Sequence, residues 1–188
     1  MGALIISLNC LFSQDYKLLV ACRSIVHINL VFFSCLQIEE CAITTRIIII
    51  ISHGLTSSGL FNIRNLIYNT IRSRRFFIAK SLIASSPFIA IWLLLLIASN
   101  VAVPPTINLS TELQTIKIIV IISKWFLIVL VIFCFVAGLY SLFYYYAVIN
   151  GNITIFTIKK EINLIHHTLY FIHLSPLFLF LTWTNTLF

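Results

Sequence analysis

Runs of about twenty apolar residues follow one another along this chain with only short polar breaks between them, and that arrangement leaves few folds open. About 20 helical residues at 1.5 Å each cross the roughly 30 Å hydrocarbon core of a bilayer. Lipid accepts such surface provided every backbone amide is bonded inside a helix or a closed barrel. The 188 residues are 61% hydrophobic and 9% charged, against roughly 25% charged in a soluble domain. A water-soluble globule is therefore excluded. So is a disordered chain, which would be polar and charged. The expected fold is all-α, a single polytopic membrane domain over residues 1–188 with about six transmembrane helices and a partial N-terminal one.

Residues 1–12 are apolar but too short to cross alone, and Ser13-Gln14-Asp15-Tyr16-Lys17 interrupts them. Met1-Gly2-Ala3 opens inside what reads as a helix, without the basic start and small-residue cleavage site of a signal peptide, so further chain upstream is expected. A second run, from about Leu18 to Leu36, contains Arg23 and His27 and stops at Glu39-Glu40. A third, from Cys41 to about Phe61, carries Arg46 and then the small polar strip Ser52-His53-Gly54-Leu55-Thr56-Ser57-Ser58-Gly59. Residues 62–80 form a basic loop with Arg64, Arg72, Arg74, Arg75 and Lys80 and no acid, which the positive-inside rule assigns to the cytoplasmic or matrix side.

The fourth run, Leu82 to Val103, ends at Pro104-Pro105, where two missing amide donors break any helix. The chain resumes at Ile107 with Glu112 and Lys117 before Ser123-Lys124. Trp125 to Val148 is the cleanest span, its Tyr140, Phe143, Tyr144, Tyr145 and Tyr146 reading as an interfacial belt. Asn150-Gly151-Asn152 and Lys159-Lys160-Glu161 lead to a last span, Ile162 to Leu187.

The net charge of +7 comes from this loop and from isolated cations within apolar runs, not from a basic patch interleaved with aromatics, so nucleic acid is not an expected partner. Cys10, Cys22, Cys35, Cys41 and Cys134 show no metal-ligand spacing and read as free thiols in apolar surroundings. His166, His167 and His173 have poor metal geometry and read as packing or interfacial residues. The glycine-rich and nucleophile motifs of soluble enzymes are missing.

Ionisable groups inside spans carry the functional information, because each costs several kcal/mol at the bilayer centre unless paired or hydrated. Lys17, His27, His53 and Glu112 stand in or beside apolar helices. Burial draws such groups toward neutrality, where they exchange protons. Each also has a plainer role open to it. Lys17 can snorkel from a helix end, His27 can be a satisfied core histidine, and His53 can belong to a close-packing face. Glu112 carries the functional reading furthest, since a broken helix at membrane depth is tolerated chiefly where it is buried or lines a wet cavity. Arg23 and Arg46 would be costly if unpaired, and Arg23, four residues before His27, shares its helix face.

Gln14-Asp15-Tyr16-Lys17 with Val20-Ala21 and His27, the string Ser52 to Phe61, Val103-Pro104-Pro105-Thr106-Ile107-Asn108-Leu109, Glu112-Leu113 and Leu139-Tyr140-Ser141-Leu142 together resemble one family. It is the subunit 4 family of the mitochondrial proton-pumping NADH:ubiquinone oxidoreductase (respiratory complex I), itself similar to Mrp-type antiporters. The resemblance implies the second half of an antiporter-like subunit, from the end of helix eight to helix fourteen, with one broken helix and without the first repeat. It implies that Lys17, His27, His53 and Glu112 form a proton relay, with Lys17 central and Glu112 nearest the exit. It further implies a multi-pass protein of the mitochondrial inner membrane, partnered by the lipid bilayer and by other membrane-arm subunits, with the missing half either supplied by a separate chain or lost. NAD, FMN, iron–sulfur clusters and ubiquinone would be bound by other subunits and no cofactor by this one. Two other readings fit the same residues: a stand-alone cation/proton antiporter subunit, and a structural fragment without transport.

Overall fold

A computed structural model describes residues 2–13, 15–35, 40–71, 87–122, 124–150 and 164–187, and these form seven helices and no sheet. They are α1 (Gly2–Phe12), α2 (Tyr16–Ser34), α3 (Glu40–Ile71), α4 (Pro87–Asn100), α5 (Ile107–Ile122), α6 (Lys124–Ile149) and α7 (Leu164–Leu187). Gln14, Glu39, Arg72, Arg74, Arg75, Lys80, Gly151, Asn152, Lys159, Lys160 and Glu161 lie outside the described residues, as do the side chains of Glu40 and Cys41. Within the described part, helix α3 overruns the expected loop start. It continues through Arg64 to Ile71, so the first half of the basic segment is helical.

Two stretches, Ala42–Asn69 of α3 and Leu127–Ile149 of α6, are each long and apolar enough to cross a membrane. α4 and α5 reach only about 21 and 24 Å at 1.5 Å per residue, and the contacts show how they reach further together. Going up α3, Thr45 bonds Gln114 of α5. Ile48, Ile51, Ser52 and Leu55 then flank Ile107, the first residue of α5. Finally Gly59 lies against Leu96 of α4, where an added Cβ would come within 2.8 Å of Leu96 Cδ2. The two half-helices therefore stack end to end along α3, and the break between them falls beside the middle of that helix. The expected broken helix is present, built from what the sequence divides between two separate runs.

The break has a defined geometry. Val103 N–H donates to Ala98 O at 3.0 Å and Ala102 N–H to Ser99 O at 3.4 Å, the paired bonds of a Schellman cap. Such a cap needs a left-handed residue, usually glycine, yet here Ala102 takes φ 59° while buried. That conformation costs an L-residue about 1–2 kcal/mol, and glycine loses up to about 1 kcal/mol of this advantage through unfolded-chain entropy. Ala102→Gly is therefore expected to stabilise the fold by up to about 1 kcal/mol, read as a raised midpoint of denaturant unfolding in detergent. An unchanged or lowered midpoint would show that the cap is not strained.

The main core joins Tyr140, Tyr144, Tyr170, Leu93, Leu96, Ile63, Ile67 and Leu177, and a smaller cluster joins Leu30, Ile119 and Leu130. Tyr140 and Tyr144 correct the belt reading of the α6 aromatics. Spaced four apart, they share the inward face of the helix and are buried, while Phe143 and Tyr146 point outward. Several buried serine and threonine hydroxyls are satisfied within their own helices: Ser52 donates to Ile49 O, Ser99 to Leu96 O, Thr111 to Asn108 O and Ser141 to Gly138 O. Outward-facing residues include Phe12, Phe32, Ile47, Trp125, Phe135, Leu164 and Phe171, a large apolar exterior suited to lipid.

Candidate functional site

Where α2, α4, α5 and α6 meet at the break, they enclose a cavity of about 40 Å³ lined by Arg23, His27, Leu30, Val101, Glu112, Cys134, Ala137 and Gly138. At about 10–15 Å³ per water position it can hold roughly three waters. The interruption at 101–106 starts α5 at this depth, so that Glu112, in the second turn of α5, faces the cavity. His27 comes to it from α2.

His53 joins from α3. Its ring stacks on that of His27 with centroids 4.9 Å apart and planes 22° from parallel. His53 Nε2 lies 3.1 Å from Ser24 Oγ, and its Nδ1 is buried without a hydrogen-bond partner. Three of the four expected relay residues, His27, His53 and Glu112, are thus gathered from three helices. Lys17 stands apart. It is exposed on the first turn of α2, ten residues before His27 and so about 15 Å from it along the helix axis.

Arg23 is the residue whose weight the spans alone do not reveal. It is 5% exposed, its guanidinium Nη2 donates to Asn100 O at the end of α4, and its Cζ lies 5.7 Å from the centroid of the Tyr140 ring. The expected cost of an unpaired arginine is thus partly offset by a helix-end carbonyl and an aromatic face. Its position four residues before His27 was the available signal. Asn100, a buried amide just ahead of the Pro-Pro break, was the other. Arg46 is met locally, its Nε donating to Ala42 O at 2.9 Å.

The other histidines serve packing. Trp92 Nε1 donates to His167 Nδ1 at 2.8 Å, tying α4 to α7, and His173 Nδ1 lies 2.7 Å from Leu169 O of its own helix. The described cysteines, Cys10, Cys22, Cys35 and Cys134, are free thiols.

Titratable groups around a water-sized cavity, beside a break that frees backbone carbonyls, can pass protons by water-bridged steps. Comparison with known proteins bears on that chemistry. Residues 1–139 match the family model described as NADH:quinone oxidoreductase/Mrp antiporter, transmembrane. Over 177 residues, 94% of the chain, it is 34% identical to NADH-ubiquinone oxidoreductase chain 4 of Apis mellifera ligustica. To the protein of the same name from Albinaria caerulea it is 35% identical over 181 residues, 96% of the chain. These alignments cover 39% and 41% of the two relatives, so the chain spans about two fifths of their length. A shorter relative of that name, from Anopheles arabiensis, is 36% identical over 152 residues, which are 81% of this chain and 69% of the relative.

Proposed function

The chain belongs to the NADH:quinone oxidoreductase/Mrp antiporter transmembrane family, and from that premise we propose that it conducts protons within the membrane arm of a respiratory NADH:ubiquinone oxidoreductase. The observation that carries this reading is the cavity at the helix break, which collects His27 and Glu112 with His53 stacked behind. Redox chemistry takes place in other subunits, where NAD, FMN, iron–sulfur clusters and ubiquinone bind. Energy released there moves protons through this chain, whose lipid-facing exterior sits in the mitochondrial inner membrane beside other membrane-arm subunits.

In this mechanism Lys17 is the central station that receives or delivers the proton. His27 and His53 pass it along their stacked pair, and Glu112 holds it at the break. Between Lys17 and His27 the separation exceeds direct hydrogen-bond reach, so waters bridge it. A stand-alone cation/proton antiporter would use the same residues. Co-purification with a large NADH-oxidising complex distinguishes the two.

The cavity itself supplies the test. Gly138 lines it, and a Cβ there would meet nothing within 4 Å. Gly138→Val is therefore expected to take up space at the cavity without replacing any titratable group. The complex should assemble normally, while protons moved per electron fall and Gly138→Ala shows a smaller loss. Unaltered proton yield in the assembled Val variant would place the path elsewhere.

A further inference from the structure

The end of α4 collects acceptors at membrane depth with few donors to meet them. Asn100 O is one of the helix's last carbonyls, at the negative pole of the half-helix. Asn100 Oδ1, on a residue 4% exposed, makes no hydrogen bond of standard geometry, and the donor that approaches the Asn100 side chain is His27 of α2. The Glu112 side chain lines the same cavity. The Tyr140 ring offers its π face. Ser99 O is already engaged, by Asn108 Nδ2 at 2.6 Å and by the Ala102 amide. Asn100 O and the Tyr140 face lie on the Arg23 guanidinium and Glu112 shares its cavity, and carbonyl, carboxylate and aromatic face are donor types that hold a monovalent cation, as half-helix ends do in membrane transporters. Into this set comes one cation belonging to the chain itself, the Arg23 guanidinium, bonded to Asn100 O while its Nε has no partner.

We propose that the α4–α5 break is a monovalent-cation site and that Arg23 is its tethered occupant. The guanidinium takes the place of a free alkali ion, so the cavity admits water and protons but excludes sodium. The site stands on geometry alone; only its consequence, exclusion of sodium from a proton path, rests on the function proposed above.

Sodium alone is the probe, and retention of isotopic sodium by the purified, intact complex is the readout. It needs no turnover, so a failure of the proton-path reading leaves it unaffected. Wild type and Arg23→Lys, which keeps a compact cation, should show no saturable sodium binding at this site. Arg23→Ser should gain one saturable site, at least about tenfold tighter than any binding by wild type. Free guanidinium at millimolar concentration should compete that sodium away, an effect that a purely structural arginine would not produce. Adding Asn100→Leu to Arg23→Ser should abolish the gain. Arg23→Gln, close in length but neutral, is the second variant should the serine protein fail to assemble, and it too should bind sodium. An assembled neutral variant that binds no more sodium than wild type overturns the proposal. Equal sodium binding by wild type, or sodium binding that guanidinium does not displace, overturns it as well.

Discussion

Glu112→Gln should lower NADH-driven proton translocation by roughly tenfold or more while the complex still assembles, the order expected when a positioned acid–base group is removed. Glutamine keeps the volume and hydrogen-bonding reach of the glutamate, so the cavity walls contributed by Leu30, Val101, Cys134 and Ala137 are undisturbed. What disappears is the ability to take up and release a proton at the break. Glu112→Asp, which retains that ability on a shorter stem, should recover a substantial part of the rate. Lys17→Ala should give the same phenotype from the other end, although that lysine lies outside the cavity, because a relay fails at any missing station. Lys117, exposed on the same helix as Glu112, is the control, and Lys117→Ala should change little. Proton yield per electron in inner-membrane vesicles is the measurement. Normal yield in an assembled Glu112→Gln complex would make the carboxylate structural and end the relay.

His27→Phe and His53→Phe should each reduce translocation by a similar factor, about tenfold, and the double variant should be scarcely worse than either single one. The rings stack at 4.9 Å, and phenylalanine preserves that stacking while removing every ring nitrogen. Groups acting in series as one unit are strongly non-additive, since the path is already broken by the first loss. Two histidines that merely packed would behave differently. Their substitutions would add in stability, and translocation would follow the amount of assembled complex. The four-member comparison thus separates a relay from a core contact. Ser24, 3.1 Å from His53 Nε2, positions that ring, and Ser24→Ala should cost less than either histidine change.

Much of this arrangement was present in the order of residues. Run length and charge placement identified the helices and the membrane, because only a lipid environment tolerates that apolar exterior. Two adjacent prolines marked the break, since a proline nitrogen has no hydrogen to donate. The expense of burying ionisable groups singled out His27, His53 and Glu112, and with them Lys17, which the fold leaves exposed. Each of these inferences depends on local chemistry, which one stretch of sequence carries by itself.

Tertiary packing decided the rest. Whether α4 and α5 were two crossings or two halves of one depended on where each met α3, at Gly59–Leu96 and Thr45–Gln114. Tyr140 and Tyr144 turned inward because α6 packs that face against its neighbours, and helical periodicity only says that the two share a face. Arg23 meets a carbonyl 77 residues away, while Lys17, on the same helix, meets none of the cavity. Periodicity gives each residue a direction around its own helix. Which directions converge is set by the helix crossings, and those follow from the fit of all the packed faces at once.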